Sequence, residues 1–95
     1  MSLIELLSKD SKEIDWDTIK TIVNNDTSTI EEKNKDGNLP LHLACNNGAS
    51  TDVIRLLVEA YPNAVKEKNY DGDLPLQIAC EKDASITVIT LLTLH

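Results

Sequence analysis

Asp36-Gly37-Asn38-Leu39-Pro40-Leu41-His42-Leu43-Ala44-Cys45 recurs along the chain as Asp71-Gly72-Asp73-Leu74-Pro75-Leu76-Gln77-Ile78-Ala79-Cys80, an offset of 35 residues. Seven of the ten pairs are identical and Leu43/Ile78 is conservative, so chance is a poor explanation. A fixed period of this size marks a stack of structural repeats. The same offset reaches outward from the motif. Ile19, Ile54 and Ile89 fall in register, as do Ile22, Leu57 and Leu92, and Ile30 matches Val65. The chain therefore reads as one domain of three copies: a degenerate one over about 1–34, a full one over about 35–69, and a truncated one over about 70–95.

Each copy reads as two short helices and a turn. Pro40 and Pro75 suit the first turn of a helix, where a missing N–H is harmless, and Leu41, Ala44 and Cys45 follow at helical spacing. Gly48 ends that helix. Asp15, Ser50 and Ser85, again 35 residues apart, supply side-chain acceptors just before the second helices and are expected to cap them. The second helix of the middle copy carries Val53, Ile54, Leu56, Leu57 and Val58 as a wide apolar face and stops by Tyr61-Pro62. Asp36-Gly37 and Asp71-Gly72 are turn dipeptides, which should form hairpin-like tips between copies. No single helix pair can bury its apolar sides alone, so the copies must stack.

The run from Asp36 to Gly48, followed by Val53-Ile54-Arg55-Leu56-Leu57-Val58-Glu59-Ala60, strongly resembles the ankyrin repeat. The resemblance implies an all-α ankyrin-repeat solenoid of three stacked helix-turn-helix units. The family's usual period is about 33 residues. The two extra residues here fall near Ala49-Ser50 and Tyr61-Pro62, between elements. Where the family has Thr-Pro-Leu-His, this chain has Leu39-Pro40-Leu41-His42 and Leu74-Pro75-Leu76-Gln77, so the hydroxyl that would bond the histidine is missing.

The two ends differ. In the first copy Lys9 and Asp10 stand where Ala44 and Cys45 are, and Thr18 and Thr21 where Val53 and Leu56 are, the pattern of an N-terminal cap. The third copy keeps Val88, Ile89, Leu91, Leu92 and Leu94 with no polar outer face. Terminal repeats need such a face for solubility, so the chain reads as a fragment of a larger array or as one that self-associates through its last helix.

Composition narrows the function. A formal net charge of −7 with no long basic run argues against nucleic acid and anionic membrane surfaces as partners. No apolar run approaches the roughly 20 residues that span a bilayer, and no targeting signal is visible, which points to an intracellular, cytoplasmic protein. Cys45 and Cys80 sit at equivalent places on neighbouring helices about 8–10 Å apart, too far for a disulfide, and read as small core residues. No cysteine or histidine pair has metal-ligand spacing, so neither metal nor cofactor is expected. His42 has no nucleophile or orienting acid beside it in the motif, and Gln77 at the matching place marks a hydrogen-bonding turn residue. No catalytic residue is identified, and the chain is not expected to be an enzyme.

What remains is a surface. Trp16 is placed to cover the core of the capping copy, and Tyr70, at a tip, is either an interface anchor or a bystander. The resemblance implies protein binding through the tips and the exposed side of the first helices. Carried onto this chain, that surface is Lys35, Asp36, Asn38, Asn46 and Asn47 in the middle copy and Tyr70, Asp71, Asp73, Glu81 and Lys82 in the last. Its mostly acidic character suits a polar or basic partner segment. The competing reading is a structural spacer or self-association segment of a longer array, with nothing bound on the concave face.

Overall fold

The computed structural model describes residues 3–10, 12–25 and 29–94. Among them are six α-helices and no strand: α1 (Leu3–Leu7), α2 (Trp16–Asn25), α3 (Pro40–Asn46), α4 (Thr51–Ala60), α5 (Pro75–Glu81) and α6 (Ile86–Leu94). A 3-10 helix over Pro62–Lys66 follows α4 and buries Ala64 and Val65, an element that the apolar pattern of the connecting segment did not announce. The helices form three pairs. The first members stack as α1 on α3 on α5, and the second members as α2 on α4 on α6.

Local chemistry explains the boundaries. Pro40 and Pro75 open α3 and α5 at the first helical position, as their fixed φ favours. Gly48, at φ +71, lies just past the end of α3. Its N–H reaches the Cys45 carbonyl at 3.3 Å and the next N–H, from Ala49, reaches Ala44 at 3.0 Å, which together satisfy the last carbonyls of the helix. Asp15 caps α2 by accepting the Asp17 and Thr18 N–H groups and the Thr18 hydroxyl, and Ser85 accepts the Val88 N–H of α6. Ser50 departs from the expected pattern. It occupies the capping position of α4 with extended backbone, but its hydroxyl makes no capping bond.

The core runs without a break through all three pairs. Leu3, Leu7 and Ile19 from the first pair, Leu41, Ile54 and Leu57 from the second, and Ala79, Val88 and Leu92 from the third belong to it. Burying a side chain of Leu or Ile size contributes about 1.5–3 kcal/mol, and here most such side chains need a neighbouring pair to cover them.

Two sequence expectations are corrected by this packing. The first copy does not replace core residues in its first helix with Lys9 and Asp10. Helix α1 ends at Leu7, its buried residues are Leu3 and Leu7, and Lys9 and Asp10 lie in the exposed turn beyond it. The 35-residue offset therefore breaks down before α2, where Thr18 and Thr21 do form the exposed polar side expected of a cap. The second correction concerns Cys80. It is exposed, whereas Cys45 is buried, and both thiols are free. Cys45 is buried where the second pair meets the third, in a depression it shares with Ala84 and Val88, and the matching position on the third pair has no such neighbour among the described residues. Trp16 packs half-buried against the core, as expected.

Candidate interaction surface

The tips are built by asparagines. Asn34 accepts the N–H groups of Asp36 and Asn38, both at 2.9 Å, through its side-chain oxygen. Asn69, 35 residues on, accepts those of Asp71 and Asp73 at 3.0 and 2.9 Å. Each tip also closes through backbone bonds, from Gly37 to Asn34 and from Gly72 to Asn69, so it turns tightly without a strand ladder. Both asparagines went unnoticed in the sequence although they obey the same offset. Their short acceptor side chains are what a turn of this type needs.

Successive tips are tied together. The Tyr70 N–H donates to the Asp36 carbonyl at 3.0 Å, and the Asn69 amide donates to the Asn38 side-chain oxygen at 2.9 Å. The Tyr70 ring lies across Gly37 so closely that a Cβ there would stand 2.5 Å from it. Lys33 pairs with Glu67 at 3.4 Å. These contacts hold the second and third tips as one ledge.

His42 fixes the ledge from beneath. Its Nδ1 accepts the Leu39 N–H at 3.1 Å, so the proton of the neutral ring sits on Nε2, which donates to the Asp73 carbonyl at 3.1 Å. The side chain has no exposed surface. Burial pulls its pKa below the ordinary 6.5, outweighing the carbonyls of Asp73 and Glu67 that would favour the charged form. The ring is thus a neutral strut between two repeats, in keeping with the turn role read from the motif. The missing threonine hydroxyl is made good by a backbone N–H.

Below the ledge lie two contiguous depressions that share Asn38, Leu43 and Asn46. The smaller, about 210 Å³, is floored by His42, Leu43 and Ile78 and carries the carboxylates of Asp73 and Glu81 with no lysine or arginine. The larger, about 610 Å³, is ringed by Lys9, Lys35 and Lys82 together with Asp10 and Asp36. The smaller depression is therefore acidic and the larger mixed, three lysines against two aspartates, with Lys82 of the third helix pair among the lysines.

Of the ten residues expected at this surface, Lys35, Asp36, Asn38, Asn46, Asn47, Asp73, Glu81 and Lys82 line one or both depressions. Tyr70 and Asp71 line neither of them; Tyr70 is nearly three-quarters exposed, and Asp71 is exposed beside it. Asn47 lines the groove, but its amide is already spent. It donates to the Leu7 carbonyl at 3.0 Å and to Leu43 at 2.9 Å, joining α1 to α3. The sequence reading missed Leu7, Ser8, Lys9 and Asp10, which close the larger depression. The early end of α1 hid them, because the offset assigned those positions to the interior of a helix.

No curated protein sequence matches this chain. A family model described as ankyrin repeats, in three copies, matches residues 5–95.

Proposed function

The chain belongs to the ankyrin-repeat family, whose members are in general protein–protein interaction modules rather than enzymes, and from that premise we propose that it binds a partner protein in the groove below its second and third tips. The observation that carries this reading is the groove's charge distribution: Asp73 and Glu81 with no lysine or arginine in the smaller depression, and three lysines with two aspartates in the larger. A partner segment with lysine or arginine over the acidic end and a carboxylate over Lys9 and Lys35 matches it. Its charged groups govern encounter rate and selectivity, while Leu43 and Ile78 on the floor give apolar contact. The rigid tips support the reading too, since a surface already ordered by His42 and Asn69 loses little entropy on binding. Tyr70 is left out of this site because it lines neither depression.

The test is selection of binders from a displayed random-peptide library at moderate salt. Peptides rich in Lys or Arg at one end are the expected winners. Reversing both Asp73 and Glu81 to lysine should weaken them by about tenfold or more, and raising the salt should do the same to the parent chain. Binders indifferent to both changes would put the site elsewhere.

A further inference from the structure

We infer that the outer face of α5 and α6 is a docking surface for one further repeat of the third pair's own type, stacked in continuation of the array. The inference rests on continuity with an interface that the molecule already contains. Between the second and third pairs, five features of the second pair receive the third: the Asp36 carbonyl takes the Tyr70 N–H, the Asn38 side chain takes the Asn69 amide, His42 Nε2 donates to the Asp73 carbonyl, Gly37 lies under the Tyr70 ring, and Lys33 pairs with Glu67. Shifted by 35 residues, these positions are Asp71, Asp73, Gln77, Gly72 and Lys68.

Each of the five is kept in kind. A carbonyl remains at Asp71, and Asp73 still offers a side-chain oxygen acceptor. Gln77 repeats the inner half of the His42 arrangement, its Oε1 accepting the Leu74 N–H at 2.7 Å, which leaves its amide as the donor in the place of Nε2. Gly72 keeps φ +82 and has open space where the Tyr70 ring covers Gly37. Lys68 keeps the cation.

The apolar part agrees. Leu43, Cys45 and Ile54 are buried, while their counterparts Ile78, Cys80 and Ile89 are half-buried or exposed. Ile86 and Leu94 do not belong to this surface. They stand where the second pair has Thr51 and Glu59, positions that a stacked neighbour leaves at least partly open. The incoming unit must bring an asparagine and an aromatic residue at its tip and a carboxylate two residues before that asparagine. The first helix pair of another copy carries no such tip among the described residues, and the Asn69-Tyr70 tip is already engaged with the second pair.

The experiment appends a second copy of residues 61–95 directly after residue 95, which preserves the 35-residue register. The added unit should fold, seen as a gain in helical circular dichroism of about one helix pair, and should raise the thermal midpoint by roughly 5 °C or more. Asp73→Ala and Gln77→Ala are then compared in the two backgrounds. Each should lower the midpoint more in the extended chain than in the parent, by roughly 3 °C or more, because only there do they lose a bond to the added unit. An appended segment without helical signal overturns the proposal, and so do equal losses in both backgrounds. Light scattering covers the remaining occupant. If the parent forms a concentration-dependent dimer that Ile78→Lys with Ile89→Lys disperses, the face belongs to a second copy and the proposal fails.

Discussion

The second and third helix pairs carry nearly the same ten residues at the same places, yet their side chains live in different surroundings. His42 is buried and Gln77 exposed; Cys45 is buried and Cys80 exposed; Leu43 and Ile54 are buried while Ile78 and Ile89 are only half covered. Backbone and turns are alike in the two pairs, and only the Ser50 and Ser85 caps differ, so the difference in burial comes from the neighbour on one side. In a stacked protein a residue's role is set by position in the array as much as by identity, because each interface belongs to two units. The pairs therefore act as each other's control.

The sharpest contrast is in the thiols. Burial pushes the Cys45 pKa up to about 12, against 9.0 for an ordinary thiol, so about a thousandfold less of it is thiolate at neutral pH. Cys80 is exposed on the open face. Labelling with a maleimide or a chromogenic disulfide should give one fast and one very slow equivalent, the slow one appearing with unfolding and the fast one removed by Cys80→Ser. Two fast equivalents would mean that the third pair dissociates from the second in solution, and the contrast would collapse.

Next in size is the strut. His42→Ala leaves the Leu39 N–H without its partner, takes a donor from the Asp73 carbonyl and opens a void, which together cost about 3 kcal/mol or more of the stability of a small domain. Gln77→Ala removes one exposed turn bond and should cost about 1 kcal/mol. Urea midpoints measure both, and equal losses would show that the second interface is no tighter than the open face.

The same strut should make stability depend on pH. The folded His42 pKa lies below the unfolded one, so the unfolded chain takes up the proton first. The stabilisation is complete above the unfolded value of about 6.5 and shrinks as the pH falls through it towards the lower folded value. Protonation also puts a hydrogen on Nδ1, where the Leu39 N–H must be accepted. The urea midpoint should drop between pH 7.5 and 5.5, and His42→Gln should flatten most of that drop. Asp15, its pKa held low chiefly by the Thr18 hydroxyl, acts in a separate window, losing its contribution only as the pH falls below its ordinary 3.8.

Much of this was legible in the sequence because the repeat forces it. The offset located the Pro-led helices, the Gly48 stop, the second helices and the tips, and eight of ten surface residues fall on the groove. What escaped lay where the period fails or where a neighbour decides. Helix α1 ends at Leu7, so Lys9 and Asp10 moved from an expected helix into the rim of the groove. Tyr70 sits at a tip as read, but the side it faces depends on its ring crossing Gly37, a contact between copies that no local pattern contains. The silence of Ser50 as a cap has no signal in composition, since Ser85 in the same place does accept a bond.

The finest distinction between the pairs lies at the ends of their first helices. Gly48 and Asp83 occupy the same position, at φ +71 and +56, and the bonds around them are the same: Asp83 N–H to the Cys80 carbonyl at 3.2 Å and Ala84 N–H to Ala79 at 3.0 Å. Left-handed backbone costs a residue with a Cβ about 1–2 kcal/mol, less for aspartate, whose short polar side chain tolerates it. Glycine gives part of that advantage back through the greater freedom of its unfolded chain. Asp83→Gly should therefore stabilise the protein by about 0.5 kcal/mol, and Gly48→Asp, which meets no atom within 4 Å, should destabilise it by a similar amount. Opposite shifts of equal size in the urea midpoint would mean that the two turns differ only in backbone strain. A loss on Asp83→Gly would mean instead that the carboxylate contributes something at the third pair that Gly48 never had, and the two pairs would cease to be equivalent even where their geometry matches.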